Sequence, residues 1–122
     1  MPPIKKLLLA ATAISIALAG QAMAHAHLKS AVPAADGLVK SAPSELDLTF
    51  SEGLNVKFSG IKITGPDKAT IKTGEAMLMN SGTTLMVPVA DKLAPGKYMV
   101  EWHVLSTDGH KTNGNYSFTI AP

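Results

Sequence analysis

The chain has 122 residues, 46% of them hydrophobic, with 11 basic against 9 acidic residues, 4 His and no Cys, which is room for one small domain. All 11 basic residues are Lys, so the bidentate phosphate and guanine contacts expected of a nucleic-acid binder are missing. Without a thiolate, zinc fingers, iron–sulfur clusters and blue-copper centres are excluded; sites built from His, carboxylate and backbone nitrogen remain.

Residues 1–24 carry the marks of a secretory signal: Lys5 and Lys6, an apolar run at 7–19, then Gly20 and the small-residue pattern Ala22-Met23-Ala24. The apolar run falls short of the roughly 20 residues that a bilayer-spanning helix needs, so no membrane insertion of the mature chain is expected. Cleavage after Ala24 leaves 9 Lys against 9 acids, and a balanced charge does not steer a protein to nucleic acid or an anionic membrane. It also gives His25 a free α-amine, a group of pKa about 7.7–8.0 that binds metal once deprotonated. Processing would therefore create a ligand.

From 25 to 122 the chain shows short alternating runs separated by Gly, Pro, Asn and Asp, an all-β pattern. In chain order, strands are expected around residues 28–32, then at Leu46, Leu48 and Phe50, then over 56–64. In that third run Val56 and Phe58 have one parity and Ile61 and Ile63 the other, which predicts a β-bulge at Ser59-Gly60. A short strand at 69–72 follows, then strands at Leu85, Val87 and Val89, at Tyr98, Val100, Trp102 and Val104, and at Tyr116, Phe118 and Ile120. About seven strands suit a Greek-key sandwich. Turn residues mark 33–37, 65–67, 80–82 and 94–96, whereas 106–114 is a longer loop with no tight-turn reason for its length.

That loop contains Asp108-Gly109-His110, a carboxylate and an imidazole on either side of a permissive Gly. Taken alone, the tripeptide is a weak signal and reads as an Asx turn beside a solvated His. The mature start, His25-Ala26-His27, adds an amine and two imidazoles, and a sandwich can bring its first strand beside its last loop. The His25 amine, the His25 and His110 imidazoles and an Asp108 oxygen make a three-nitrogen, one-oxygen set, which suits the tetragonal preference of Cu(II) and is also open to zinc. A local alternative competes: the amine, two deprotonated backbone amides and the His27 imidazole can surround Cu(II) without help from the fold, more so at higher pH.

Several ordered anchors carry a family resemblance: His25-Ala26-His27-Leu28, Phe50-Ser51-Glu52, Phe58-Ser59-Gly60, Pro95-Gly96 followed by Tyr98, and Trp102 leading to Asp108-Gly109-His110. Together they resemble the CopC family of periplasmic copper-resistance proteins over 25–122. The resemblance implies a Greek-key β-barrel or sandwich of cupredoxin-like or immunoglobulin-like shape. It further implies one Cu(II) per chain on His25, Asp108 and His110, with His27 a weaker candidate and Glu52 accepting a hydrogen bond behind the ligands. On this footing the protein is periplasmic and not an enzyme, and it sequesters copper or passes it to a CopD-like inner-membrane partner. Two other readings stand beside it: a copper monooxygenase, which would need a broad aromatic substrate surface, and an immunoglobulin-like interaction module with coincidental ligands.

Longer members of that family carry a Met- and His-rich loop for Cu(I), which is represented here only by Met77 and Met79 within 74–82. Met86 and Met99 are expected to fill gaps in the core. His103 has the parity of a strand surface, with Glu101 as a candidate partner, and Trp102 has the parity of the core.

Overall fold

A computed structural model describes residues 26–122; the expected signal and His25 lie outside the described residues. The alternating runs become strands because each can bury one face while its backbone pairs with neighbours. In chain order these are β1 (Leu28–Val32), β2 (Gly37–Val39), β3 (Glu45–Phe50), β4 (Gly60–Thr64), β5 (Thr70–Ile71), β6 (Met77–Met79), β7 (Thr84–Pro88), β8 (Gly96–Leu105) and β9 (Lys111–Ile120). They form a four-stranded sheet, β1-β3-β7-β6, and a five-stranded sheet, β2-β9-β8-β4-β5. The expected all-β sandwich, two sheets around one core, is present; every pairing is antiparallel except that of β2 with β9, which is parallel. The expected count of about seven rises to nine among the described residues because β2 and β6 are added.

The inner faces supply the core. Leu46, Leu48 and Phe50 from β3 and Leu85 and Val87 from β7 meet Ile63, Tyr98, Val100, Trp102, Val104, Phe118 and Ile120 from the other sheet. Tyr98 stacks on Phe118 with ring centroids 5.4 Å apart, and Trp102 meets Phe50 edge-on at 5.1 Å. Trp102 is thus a core residue, as its parity predicts. The Cα of Gly114 lies directly under the Trp102 ring, and a Cβ there would fall 2.5 Å from Trp102 Cζ2. Gly114→Ala should accordingly cost about 1–3 kcal/mol, the usual penalty for overpacking. Urea unfolding followed by Trp102 emission measures this, and an unchanged midpoint would refute the contact.

Three local expectations are corrected. The bulge predicted at Ser59-Gly60 is absent; residues Val56–Phe58 form a 3-10 turn instead, because the Asn55 side chain caps it by accepting from the Lys57 N–H at 3.1 Å. A register shift does occur in β1, between Leu28 and Ser30, and it re-aims the start of the first strand. The 106–114 stretch is no long loop: β8 and β9 pair up to Leu105 and Lys111, so only residues 106–110 form the connection. Finally, Met99 lies on the outer face of β8 and is 40% exposed, and Met86 faces outward from β7 half-buried, so neither fills the inner core.

Candidate copper site

The β8–β9 connection is organised by Ser106, which is 1% exposed. Its backbone N–H donates to the His110 carbonyl at 2.9 Å, and its carbonyl accepts from the Gly109 N–H at 2.9 Å. Gly109 has a φ of +93°, which favours a residue without Cβ and closes the turn. The Ser106 hydroxyl donates to Asp108 Oδ1 and accepts from the His110 N–H at 3.2 Å. One buried hydroxyl thus fixes both candidate ligands.

Asp108 Oδ1 consequently lies 3.2 Å from His110 Nδ1, with both side chains about half exposed. The Ser106 hydrogen bond, and after it the hydrogen bond and charge of His110, hold the Asp108 carboxyl below the usual carboxylate range despite some opposing desolvation, so it stays an anionic acceptor. Two donors each about 2.0–2.1 Å from one metal ion at a right angle sit about 3 Å apart. The 3.2 Å separation is a hydrogen bond between the two groups, which a bound metal ion would replace with its donors about as far apart.

The N-terminal segment is fastened at the same end of the sandwich. Thr112, two residues beyond His110, donates its hydroxyl to the Ala26 carbonyl at 3.1 Å, and Ala26 is 1% exposed within the core cluster. His27 is exposed, but its backbone is doubly held: its N–H donates to Ser51 Oγ at 2.8 Å, and its carbonyl accepts from the Ser51 N–H at 2.9 Å. The same short segment reaches the β8–β9 turn, since Gly53 accepts from the Thr107 N–H at 3.0 Å and Leu54 bridges to Ser106. Glu52 sits half-buried between these two ties. Its carboxylate makes no hydrogen bond among the described residues.

Asp108 and His110 are thus brought together, and Ala26, His27 and Glu52 are carried to their end of the fold; His25 lies outside the described residues. Among those residues no group of three or more His, Cys, Asp or Glu could hold a metal. His103 is exposed on β8, as its parity predicts, and forms no ion pair with Glu101. Sequence reasoning missed Ser106 as the organising residue. A Ser two positions before an Asp and four before a His, at the start of a hairpin connection, was the available signal.

Residues 28–121 match the family described as CopC domain. The chain belongs to the CopC family. It is 51% identical over 98 residues to Protein YobA of Escherichia coli K12, covering 80% of this chain and 79% of that one. It is 38% identical over 120 residues to Copper resistance protein C of Escherichia coli, covering 84% and 86% of the two chains. The crystal structure of CopC from Methylosinus trichosporium OB3b superposes with a TM-score of 0.72 at 33% identity, over 80% of this chain and 95% of that one. Membership in this copper-resistance family speaks for copper handling and not for catalysis. Among the described residues no helix is long and apolar enough to cross a membrane.

Ser106→Ala tests the organising role. It leaves the His110 N–H and the Asp108 carboxylate without their shared partner, so stability should fall by about 1–3 kcal/mol. If Asp108 and His110 hold copper, its affinity should fall by about 10-fold or more, the usual cost of losing a group that orients a ligand. Denaturant melts and chelator competition read the two effects separately, and a variant with wild-type copper affinity would refute the role.

Proposed function

We propose that this CopC-family protein is a periplasmic Cu(II) carrier, exported by the signal at 1–24, that binds one copper through His25, Asp108 and His110 and holds it for resistance or for transfer to a CopD-like membrane partner. The observation that carries the reading is the pair of ties at one end of the sandwich: Asp108 and His110 are 3.2 Å apart, and Thr112 next to them holds the Ala26 carbonyl. His25 is one peptide bond from Ala26, and consecutive Cα atoms are about 3.8 Å apart. The chain that leads to His25 is therefore held at Ala26 by a residue of the strand that follows His110, which supports the reading.

The same ties count against the local N-terminal mode. That mode needs the His27 amide nitrogen deprotonated and bound to copper, whereas the fold uses this N–H as a donor to Ser51. Release also fits a carrier. Two ligands come from an exposed turn and one from a chain end, so copper can leave stepwise without disturbing the strands.

Nitrogen and oxygen donors favour Cu(II), whereas Cu(I) prefers sulfur. Met77 is 53% and Met79 39% exposed on the edge strand β6, with Met86 opposite Met77. The expected result is one tight Cu(II) site that is indifferent to Met77→Leu and Met79→Leu. Titration of both oxidation states against competing chelators is the test, and a tight Cu(I) site lost in the double variant would contradict it.

A further inference from the structure

An open groove of about 520 Å³ lies on the outer face of the five-stranded sheet, lined by Lys57, Phe58, His103, Val104, Lys111 and Thr112 together with Asn113. Three features set it apart from ordinary surface. Phe58 stands at the end of the 3-10 turn with 59% of its surface exposed, a large apolar group left in water. Lys57 and Lys111 supply two cations to the lining and no carboxylate joins them; the nearest acid along β8, Glu101, lines the adjoining polar hollow with Lys62. The groove also abuts the copper site, since Lys111 follows His110 directly and Thr112 is the residue that fastens Ala26.

We propose that this groove is the docking surface for an acidic segment of a partner protein that carries an apolar side chain. The carboxylates would face Lys57 and Lys111 and the apolar group would lie against Phe58 and the His103 ring, a charged rim around an aromatic anchor. The lining's charge argues for this occupant. Its concave shape takes a protruding side chain, and one exposed Phe with two Lys is far less than the broad apolar face and basic cluster that hold a protein on a membrane. The chain's lack of Arg removes the contacts that nucleic acid would use. A partner seated here would have its segment against Lys111, one residue from a copper ligand. That placement for receiving metal rests on the function proposed above, but docking itself does not need copper.

The test uses metal-free, 15N-labelled protein and a synthetic decapeptide of Asp and Glu around a central Leu-Phe pair. Amide shifts should be confined to residues 57–59, 103–105 and 111–113 and should weaken with added salt. Lys57→Glu and Phe58→Ser, both at exposed positions, should each lower peptide affinity about tenfold, and Lys40→Glu, beyond β2, should leave it nearly unchanged. No binding at low salt, shifts spread over all lysines, an equal loss in Lys40→Glu, or a stronger response of these residues to phosphatidylglycerol vesicles than to the peptide would each overturn the proposal. Copper affinity of the Lys57→Glu and Phe58→Ser proteins, measured separately, should be unchanged. Peptide binding without copper binding would keep the docking surface and overturn the carrier function, and copper binding without peptide binding would do the reverse.

Discussion

His110→Ala should lower Cu(II) affinity at pH 7 by about 10–100-fold or more, since even the loss of a group behind the ligands typically costs that much. His27→Ala should change it little. The order follows from the geometry: His110 Nδ1 lies 3.2 Å from Asp108 Oδ1 in a turn held by Ser106, whereas the His27 backbone is committed to Ser51. Copper should also stabilise the parent protein, because a ligand that binds only the folded state adds about 2.7 kcal/mol at 100 times its Kd. For a domain of this size that is a rise in Tm on the order of 10 °C, and His110→Ala should abolish most of it. The local mode requires the opposite: a damaging His27→Ala, a silent His110→Ala and little thermal shift, because an unfolded chain would bind nearly as well. Chelator competition and thermal melts of the two variants distinguish the modes.

Keeping one residue ahead of His25, for example by leaving Ala24 in place, should weaken Cu(II) binding by a comparable factor, at least about tenfold. The extra residue converts the amine into an amide, which no longer offers a lone pair near neutral pH, and sets the free terminus one residue further along the chain. The fold should be untouched, since Ala26 and Thr112 keep their contact whatever precedes them. Mass-verified long and short forms, titrated side by side, provide the check, and equal affinities would refute a role for the amine.

How much of this was legible in the sequence depends on the range of the interaction responsible. Strands β3, β7, β8 and β9 announce themselves because alternate residues are buried, as in Leu46, Leu48 and Phe50; one buried face produces the period-two signal directly. Strands β2 and β6 do not, because Gly37–Val39 and Met77–Met79 contain no fully buried residue and are held by backbone pairing to β9 and β7. The misplaced bulge has a similar cause. The parity change at Ser59-Gly60 is real, but the Asn55 cap resolves it with a 3-10 turn, leaving Phe58 exposed where a strand would have buried it. The methionines misled because strand membership alone does not say which face they take: Met99 shares the outer row of β8 with Glu101 and His103.

The site shows the same division. Asp108-Gly109-His110 could be picked out as a pair of donors, and the turn confirms that the two face each other. What the sequence alone could not supply were the tertiary ties: Thr112 to Ala26, 86 residues apart, and Ser51 to His27, 24 residues apart. Those contacts depend on how the two sheets stack. They carry residues 26–27 and the Asp108–His110 turn to the same end of the sandwich.

The most direct test of the central claim is the EPR nitrogen hyperfine pattern of the copper-loaded protein beginning at His25, recorded at pH 7 with 15N confined to histidine and repeated in His110→Ala. An assembled site predicts copper bound by the His25 amine, the imidazoles of His25 and His110 and an Asp108 oxygen, with one imidazole coupling lost in the variant. A spectrum of amine, backbone amides and the His27 imidazole, unchanged by His110→Ala, would contradict it.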